Sequence, residues 1–190
     1  MNESDRYKSV CCESAAVLLY RENIRNTQRW VTYRLKTWMI VKKFESGGIN
    51  MKILVTGANG YLGQGIVKAL LDNGHSVVAA DFKTTYVDDR AEKIDCDLFS
   101  AEDPYTYFGK PDVLLHLAWR DGFVHYSENH IADLPKHYHF LKQMVDAGVS
   151  KISVMGTMHE IGFFEGSINE NTPCHPMSLY GIGKDALRNC

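Results

Sequence analysis

No stretch of this sequence approaches the ~18 consecutive apolar residues of a membrane helix. The apolar run at residues 15–20 is too short for a signal-peptide core and no convincing cleavage site follows it. An excess of either charge is also missing. Lys and Arg number 21 against 23 Asp and Glu, a net charge of −2, and the pI is near 6.4, so nothing points to nucleic acid or another polyanion. The five cysteines (Cys11, Cys12, Cys96, Cys174 and Cys190) form no CxxC, and their odd count reads as reduced thiols, with cytoplasm the default compartment. Internal repeats and low-complexity tracts are absent. His130, His137 and His139 are expected on one helix, but not at the i,i+4 spacing of a metal pair; they read as surface or packing residues, with no metal.

What is present is the composition of a folded domain: 190 residues, 45% hydrophobic and 23% charged, enough to bury a real core. Two segments differ in character. Residues 1–50 carry Arg21, Arg25, Arg29, Arg34, Lys36, Lys42 and Lys43 with few acids and no strand–turn–helix grammar. An amphipathic helix over 16–40, with Leu18, Trp30, Leu35 and Trp38 as apolar points, would suit a partner or a membrane surface. The plainer expectation is an extension outside the fold, ending at Gly47-Gly48. Because Met51 opens the first strand directly, the extension reads as an upstream start codon, which sequencing the natural N terminus would test.

From Met51 the punctuation is regular. Residues 52–56 (KILVT) predict a strand. Residues 60–73 predict a helix, with Leu62, Ile66, Ala69 and Leu70 on one stripe and Gly74 past its end. Further strands are expected at 76–80, 93–98, 113–118 and 152–155. Ile131, Leu134, Tyr138, Leu141 and Val145 recur at helical spacing up to Gly148, and another helix covers 179–188. Continuous apolar strands alternating with helices specify an α/β fold with a parallel sheet covered on both faces.

Between the first strand and helix lies Thr56-Gly57-Ala58-Asn59-Gly60-Tyr61-Leu62-Gly63. Gly57 permits a tight turn, Gly60 lets the backbone approach a pyrophosphate, and Gly63 lets the helix pack close to the strand. The helix-start N–H groups and dipole would hold the phosphates. Alone, such a triplet could be a mere turn. Asp81, at the end of the second strand, strengthens the dinucleotide reading, because a carboxylate there accepts hydrogen bonds from ribose hydroxyls. It also repels a 2′-phosphate, which favours NAD over NADP, although Lys83 nearby weakens that preference. On its own Asp81 would be a strand-end turn residue.

Tyr180-Gly-Ile-Gly-Lys184 places a phenol and an amine four apart at a helix start. A free phenol has a pKa of about 10 and is a poor base at neutral pH. A neighbouring ammonium and a positive nicotinamide ring would both favour phenolate, and lowering that value by about two to three units takes roughly 3–4 kcal/mol. Thr157 follows the strand at 152–155, at the carboxyl edge where ligands sit. Its hydroxyl can hold the substrate oxygen that exchanges a proton with Tyr180; otherwise it is a turn cap.

In this order, TGANGYLG at 56–63, Asp81, Asp97-Leu98, HLA at 116–118, MGTMHEIG at 155–162 and YGIGK at 180–184 resemble the extended short-chain dehydrogenase/reductase superfamily, its NAD-dependent epimerase/dehydratase group, over about residues 51–190. The resemblance implies a Rossmann-type doubly wound parallel sheet at 51–190, incomplete at its C-terminal end and preceded by the non-Rossmann extension. It implies NAD, with NADP less favoured, and a catalytic Thr157, Tyr180 and Lys184. Cofactor contacts would come from Gly57, Asn59, Gly60, Tyr61, Leu62, Gly63, Asp81, Asp97, Leu98, Leu117, Ala118, Tyr180 and Lys184. A nucleotide-activated sugar is the implied substrate and a homodimer the implied assembly.

The pattern also departs from its group. Dehydratases place Asp-Glu directly after the Thr, where this chain has Met158 and His159, so 4,6-dehydration is not expected. Asp133 stands where a helix-borne Asn is common. The stretches HLAWRDG and GTMHEIG look closer to enzymes of nucleotide-linked 4-keto-6-deoxy sugars, such as ketoreductases, and C4 epimerisation shares their chemical step. His159 or Glu160 reads either as an extra acid or base or as part of a solvated polar turn. A last strand and a sugar-gripping smaller domain are implied beyond Cys190, so the chain is expected to be a fragment or a product truncated by a frameshift, weakly active or inactive and poorly soluble alone. Two rivals remain: a non-catalytic NAD(P)-binding regulatory module, which needs neither Tyr180 nor Lys184, and an inactive truncated remnant.

Overall fold

The structure is a computed structural model that describes residues 50–169 and 171–190. The extension up to residue 49 and the helix expected over 16–40 lie outside the described residues. In chain order the elements are β1 (Lys52–Thr56), α1 (Tyr61–Asp72), β2 (Ser76–Asp81), β3 (Glu92–Asp95), α2 (Pro104–Tyr107), β4 (Val113–His116), α3 (Asn129–Ala132), α4 (Leu134–Asp146), β5 (Lys151–Val154), a 3-10 turn (Met158–Glu160) and α5 (Leu179–Asn189). The described residues divide into two compact units.

Residues 50–118 with Phe140–Val154 form the sheet unit. Its five strands are all parallel, in the order β3-β2-β1-β4-β5. The chain enters at β1, winds outward to β3, then returns to β4 on the other side. That reversal between β1 and β4 is the topological switch point of a doubly wound sheet. Period-two alternation sends Ile53, Val55, Val77, Ala79, Val113 and Leu115 to one face, where they meet Ile66, Val67 and Leu70 of α1. Leu54, Val78, Ala80 and Leu114 turn to the other face and pack with Phe108, Phe140 and Met144. Both faces are therefore covered, which is why the strands read as unbroken apolar runs. β3 and β4 end earlier than their apolar runs suggested, because Cys96, Leu98 and Leu117 join the core from the loops that follow.

Residues 119–139 and 155–190 form the second unit, containing α3, the 3-10 turn and α5. The single helix expected around His130, His137 and His139 is two. Pro135, in the first turn of α4, has no N–H to donate, and the chain breaks at Asp133, the C-cap of α3. His130 thus belongs to α3, and His137 and His139 to α4. The short α2 was not expected from the sequence; Asp103 caps it by accepting the Thr106 N–H. Among the described residues no helix is long and apolar enough to cross a membrane.

Candidate active site

In the sheet unit, the turn after β1 is shaped by what it lacks. Gly57 has φ +67°, and a Cβ there would lie 2.7 Å from the Ala118 nitrogen. At Gly63 a Cβ would lie 2.5 Å from the Ala58 oxygen and closer still to that of Gly57. The turn is held from within: Gly60 N–H donates to the Gly57 carbonyl at 3.2 Å and Ala58 N–H to that of Ala80 at 3.3 Å. No side chain caps α1, and its first turn holds no acidic residue. The positive end of a three-turn helix is thereby left to an anion.

Asp81 and Asn59 stand together at this edge. One Asp81 oxygen accepts the Asn59 N–H at 2.9 Å and the other accepts the Phe82 N–H at 2.8 Å, which orients the carboxylate. Lys83, expected to soften the preference against a 2′-phosphate, pairs instead with Asp95 at 3.5 Å. Leu117 and Ala118 border the turn: the Leu117 N–H donates to the Thr56 carbonyl at 3.1 Å and the Ala118 N–H to the Thr56 hydroxyl at 3.4 Å. Leu98 packs against the core beneath β2, and exposed Asp97 folds its own loop by accepting the Phe99 N–H. Tyr61 is exposed and Leu62 packs against the core. Gly57, Asn59, Gly60, Gly63, Asp81, Leu117 and Ala118 are thus gathered at one sheet edge.

In the second unit Ser178 caps α5 through the Gly181 N–H at 3.2 Å and starts the helix that presents Tyr180 and Lys184. Gly181 and Gly183 let α5 approach closely. A Cβ on Gly181 would strike the His159 carbonyl, and one on Gly183 would lie 2.7 Å from the His130 oxygen. Thr157 is the N-cap of the 3-10 turn. Its hydroxyl accepts the His159 N–H, and its own N–H donates to Glu160 Oε1 at 2.6 Å.

Glu160 is therefore not part of a solvated turn. It is 4% exposed, and its other oxygen lies 3.7 Å from Arg188 Nε. Burial raises its pKa, against the Thr157 N–H and the Arg188 charge. Asp133 is also buried; its carboxylate, penalised by that burial, is held below its ordinary range by Lys136 at 2.8 Å and Arg120 at 2.6 Å.

Burial raises the pKa of the Tyr180 phenol, the Thr157 hydroxyl pulls it back, and the Glu160 carboxylate adds to the rise. The Lys184 ammonium is engaged elsewhere, donating to the Met155 carbonyl at 2.8 Å and resting 4.2 Å from the centre of the Trp119 ring. Burial pushes its pKa down to about 8, with Glu160 working in the opposite direction.

Around the phenol stand four rings, of which the sequence singled out only His159 for a part in the chemistry. His125 stacks on Tyr180 with centroids 5.8 Å apart, His130 lies at 5.2 Å, His159 at 5.4 Å and Trp119 at 6.4 Å. Burial, then the His125 charge, lower the pKa of His159. Nothing local marks Trp119 or His125 for this place, since both arrive on irregular chain before α3.

Residues 53–189 match the NAD dependent epimerase/dehydratase family. The dTDP-6-deoxy-L-talose 4-dehydrogenase (NAD(+)) of Aggregatibacter actinomycetemcomitans is 45% identical over 143 residues, which cover 73% of this chain and 53% of that protein. The uncharacterized UDP-glucose epimerase YtcB of Bacillus subtilis (strain 168) is 28% identical over 157 residues, 70% of this chain and 48% of that one. Among solved structures, the Bordetella bronchiseptica enzyme WbmG in complex with NAD shares the fold, with a TM-score of 0.63 and 24% identity over 76% of this chain and 50% of that one. The chain spans about half the length of these curated relatives. With the switch-point sheet, its glycine turn and the family match in agreement, the chain belongs to the NAD dependent epimerase/dehydratase family.

Proposed function

We propose that this chain carries the NAD-binding part and the proton-transfer residues of an oxidoreductase acting at C4 of a nucleotide-activated 6-deoxy sugar. One observation carries the reading: half-buried Tyr180 and buried Lys184 lie four apart on one helix, whose Gly181 packs against the His159 carbonyl in the turn that Thr157 caps. The glycine turn fits the cofactor, since Gly57 and Gly63 leave no room for a Cβ and no side chain competes for the start of α1. NAD, when bound, supplies hydride exchange at the sugar carbon.

The chain's own residues do the rest. The Gly57–Gly63 turn holds the phosphates, and Asp81 accepts the ribose hydroxyls. Leu117 and Ala118 line the cofactor, with Asp97 and Leu98 near its adenine. Tyr180 gives a proton to the sugar oxygen when a ketone is reduced and takes it back in the reverse direction. Thr157 holds that oxygen, and Lys184 donates to the nicotinamide ribose. A phenol is protonated at neutral pH and burial raises its pKa further, so the resting form is the proton donor that reduction of a 4-keto sugar needs. The relative named a 4-dehydrogenase, at 45% identity, supports net redox chemistry over C4 epimerisation.

The test is Tyr180→Phe in the full-length protein, assayed with NAD and a panel of nucleotide-activated 6-deoxy sugars. The expected result is a fall in turnover of about 10³-fold with NAD affinity retained. A variant that still turns over at the parent rate removes the proton-transfer role. Epimer formation without net NAD reduction replaces the redox reading with the epimerase.

A further inference from the structure

Lys184 is 4% exposed, and a buried ammonium is costly unless its charge is compensated. Its donation to the Met155 carbonyl uses one of its three N–H bonds. The ring of Trp119, 4.2 Å from the nitrogen, lies well within the roughly 6 Å over which an aromatic face attracts a cation.

That ring is itself fixed. Its Nε1–H donates to His130 Nδ1 at 3.0 Å, and His130 Nε2 lies 2.9 Å from the Val124 carbonyl. Since Nδ1 receives a proton, Nε2 carries one, and His130 is the neutral tautomer held between indole and backbone. His137 stacks on the indole with centroids 4.5 Å apart and planes 17° from parallel. Gly183 leaves the indole space, for a Cβ there would lie 3.3 Å from its Cζ2.

We propose that Trp119 is the positioning residue for Lys184: its indole face is the seat that keeps the buried amine charged and pointed, with His130 and His137 holding the seat in place. The proposal rests on the reading of Lys184 as the amine that meets the cofactor.

The charged and titratable groups around this seat agree with it. Glu160, from the 3-10 turn, favours the ammonium. His137, from α4, is pushed down to about 4 by burial first and then by the Lys184 charge, so it adds no competing cation at neutral pH. His130, from α3, is neutral by its hydrogen bonds, and Tyr180 on α5 is a neutral phenol whose pKa burial raises further. The ring face thus works with Glu160 and the Met155 carbonyl against desolvation, which has brought the lysine down to about 8, within reach of physiological pH. A small loss of stabilisation there would leave a neutral amine.

The experiment follows the Lys184 titration by NMR in full-length protein with isotope-labelled lysine, the resonance assigned by its loss in Lys184→Arg. Fluorinated tryptophan, incorporated in place of the natural residue, drains the ring face of charge without changing its shape. The Lys184 midpoint is expected to fall step by step with the number of fluorines. Trp119→Leu should lower it by about one pH unit, a tenfold change in the protonation constant, and Trp119→Phe by less. A midpoint that ignores fluorination overturns the proposal. Equal shifts in the Phe and Leu variants also overturn it, because they trace the effect to the lost bond to His130.

NAD affinity against pH is measured in the same proteins. If the lysine midpoint moves and the NAD profile moves with it, both readings stand. If the lysine moves while NAD binding does not, the seat is upheld and the cofactor role of Lys184 fails.

Discussion

The two units use opposite means to prepare for chemistry. In the sheet unit the decisive feature is backbone: a turn from which Cβ atoms are excluded at Gly57 and Gly63, and a helix start that no side chain caps. In the second unit the decisive features are buried titratable side chains, His130, His137, Glu160 and Lys184, among aromatic rings. The first arrangement is indifferent to pH and intolerant of added atoms. The second lives by protonation states.

The largest expected effect separates the two directly. Gly63→Ala forces a carbon to 2.5 Å from the Ala58 oxygen. It should cost about 3 kcal/mol or more of stability and abolish NAD binding, by denaturant titration and calorimetry, equally at pH 5 and pH 8. A strongly pH-dependent loss would break the contrast.

The next effect belongs to the second unit. The protonated form of His137 is disfavoured in the fold, where its pKa falls from 6.5 to about 4 through burial and then the Lys184 charge. Stability is therefore intact above the unfolded value and drains as pH falls through the folded one, by about 3 kcal/mol. His137→Gln should lack that slope, so urea midpoints of parent and variant should converge on acidification. Parallel curves would show that His137 is not the sensor.

Lys184 follows the same sign of linkage at higher pH, with a smaller net effect on stability. Its folded pKa of about 8, from burial, lies below the ordinary 10.5. The fold is therefore penalised at every pH below that folded value, and the penalty fades as pH rises toward the ordinary one. Lys184→Met is expected to raise stability at pH 7 by about 1–2 kcal/mol, after the lost bond to Met155, while activity disappears. A destabilised variant would mean that carbonyl and indole over-compensate the buried charge.

The smallest effect sharpens the description of the sheet unit. Asp81→Asn should relax the preference for NAD over NADP about tenfold, whereas Lys83→Ala should change it less than twofold, because Lys83 is already paired with Asp95. Titrating both nucleotides against each variant compares them.

Much of the fold was legible because it is written in local periodicities. β1 starts and ends where KILVT does, and α1 runs from just after Gly60 to just before Asn73. The glycine turn was legible for the same reason, since a missing Cβ is a property of each residue by itself. The break between α3 and α4 was legible in principle from Pro135 but was hidden by the apolar stripe running through it. Glu160 misled for a deeper reason. A carboxylate beside a His in a short turn looks solvated until a distant helix brings Arg188 to it.

What the sequence by itself determined is the order of strands and helices, the apolar faces, the positions of the glycines and the YxxxK spacing, because each depends on neighbours a few residues away. The tertiary structure alone decided which groups are charged. Trp119, His130, His137 and Lys184 come from separate segments, and the protonation of the two histidines and the lysine follows from burial and contacts, the indole's among them, that exist only once those segments pack.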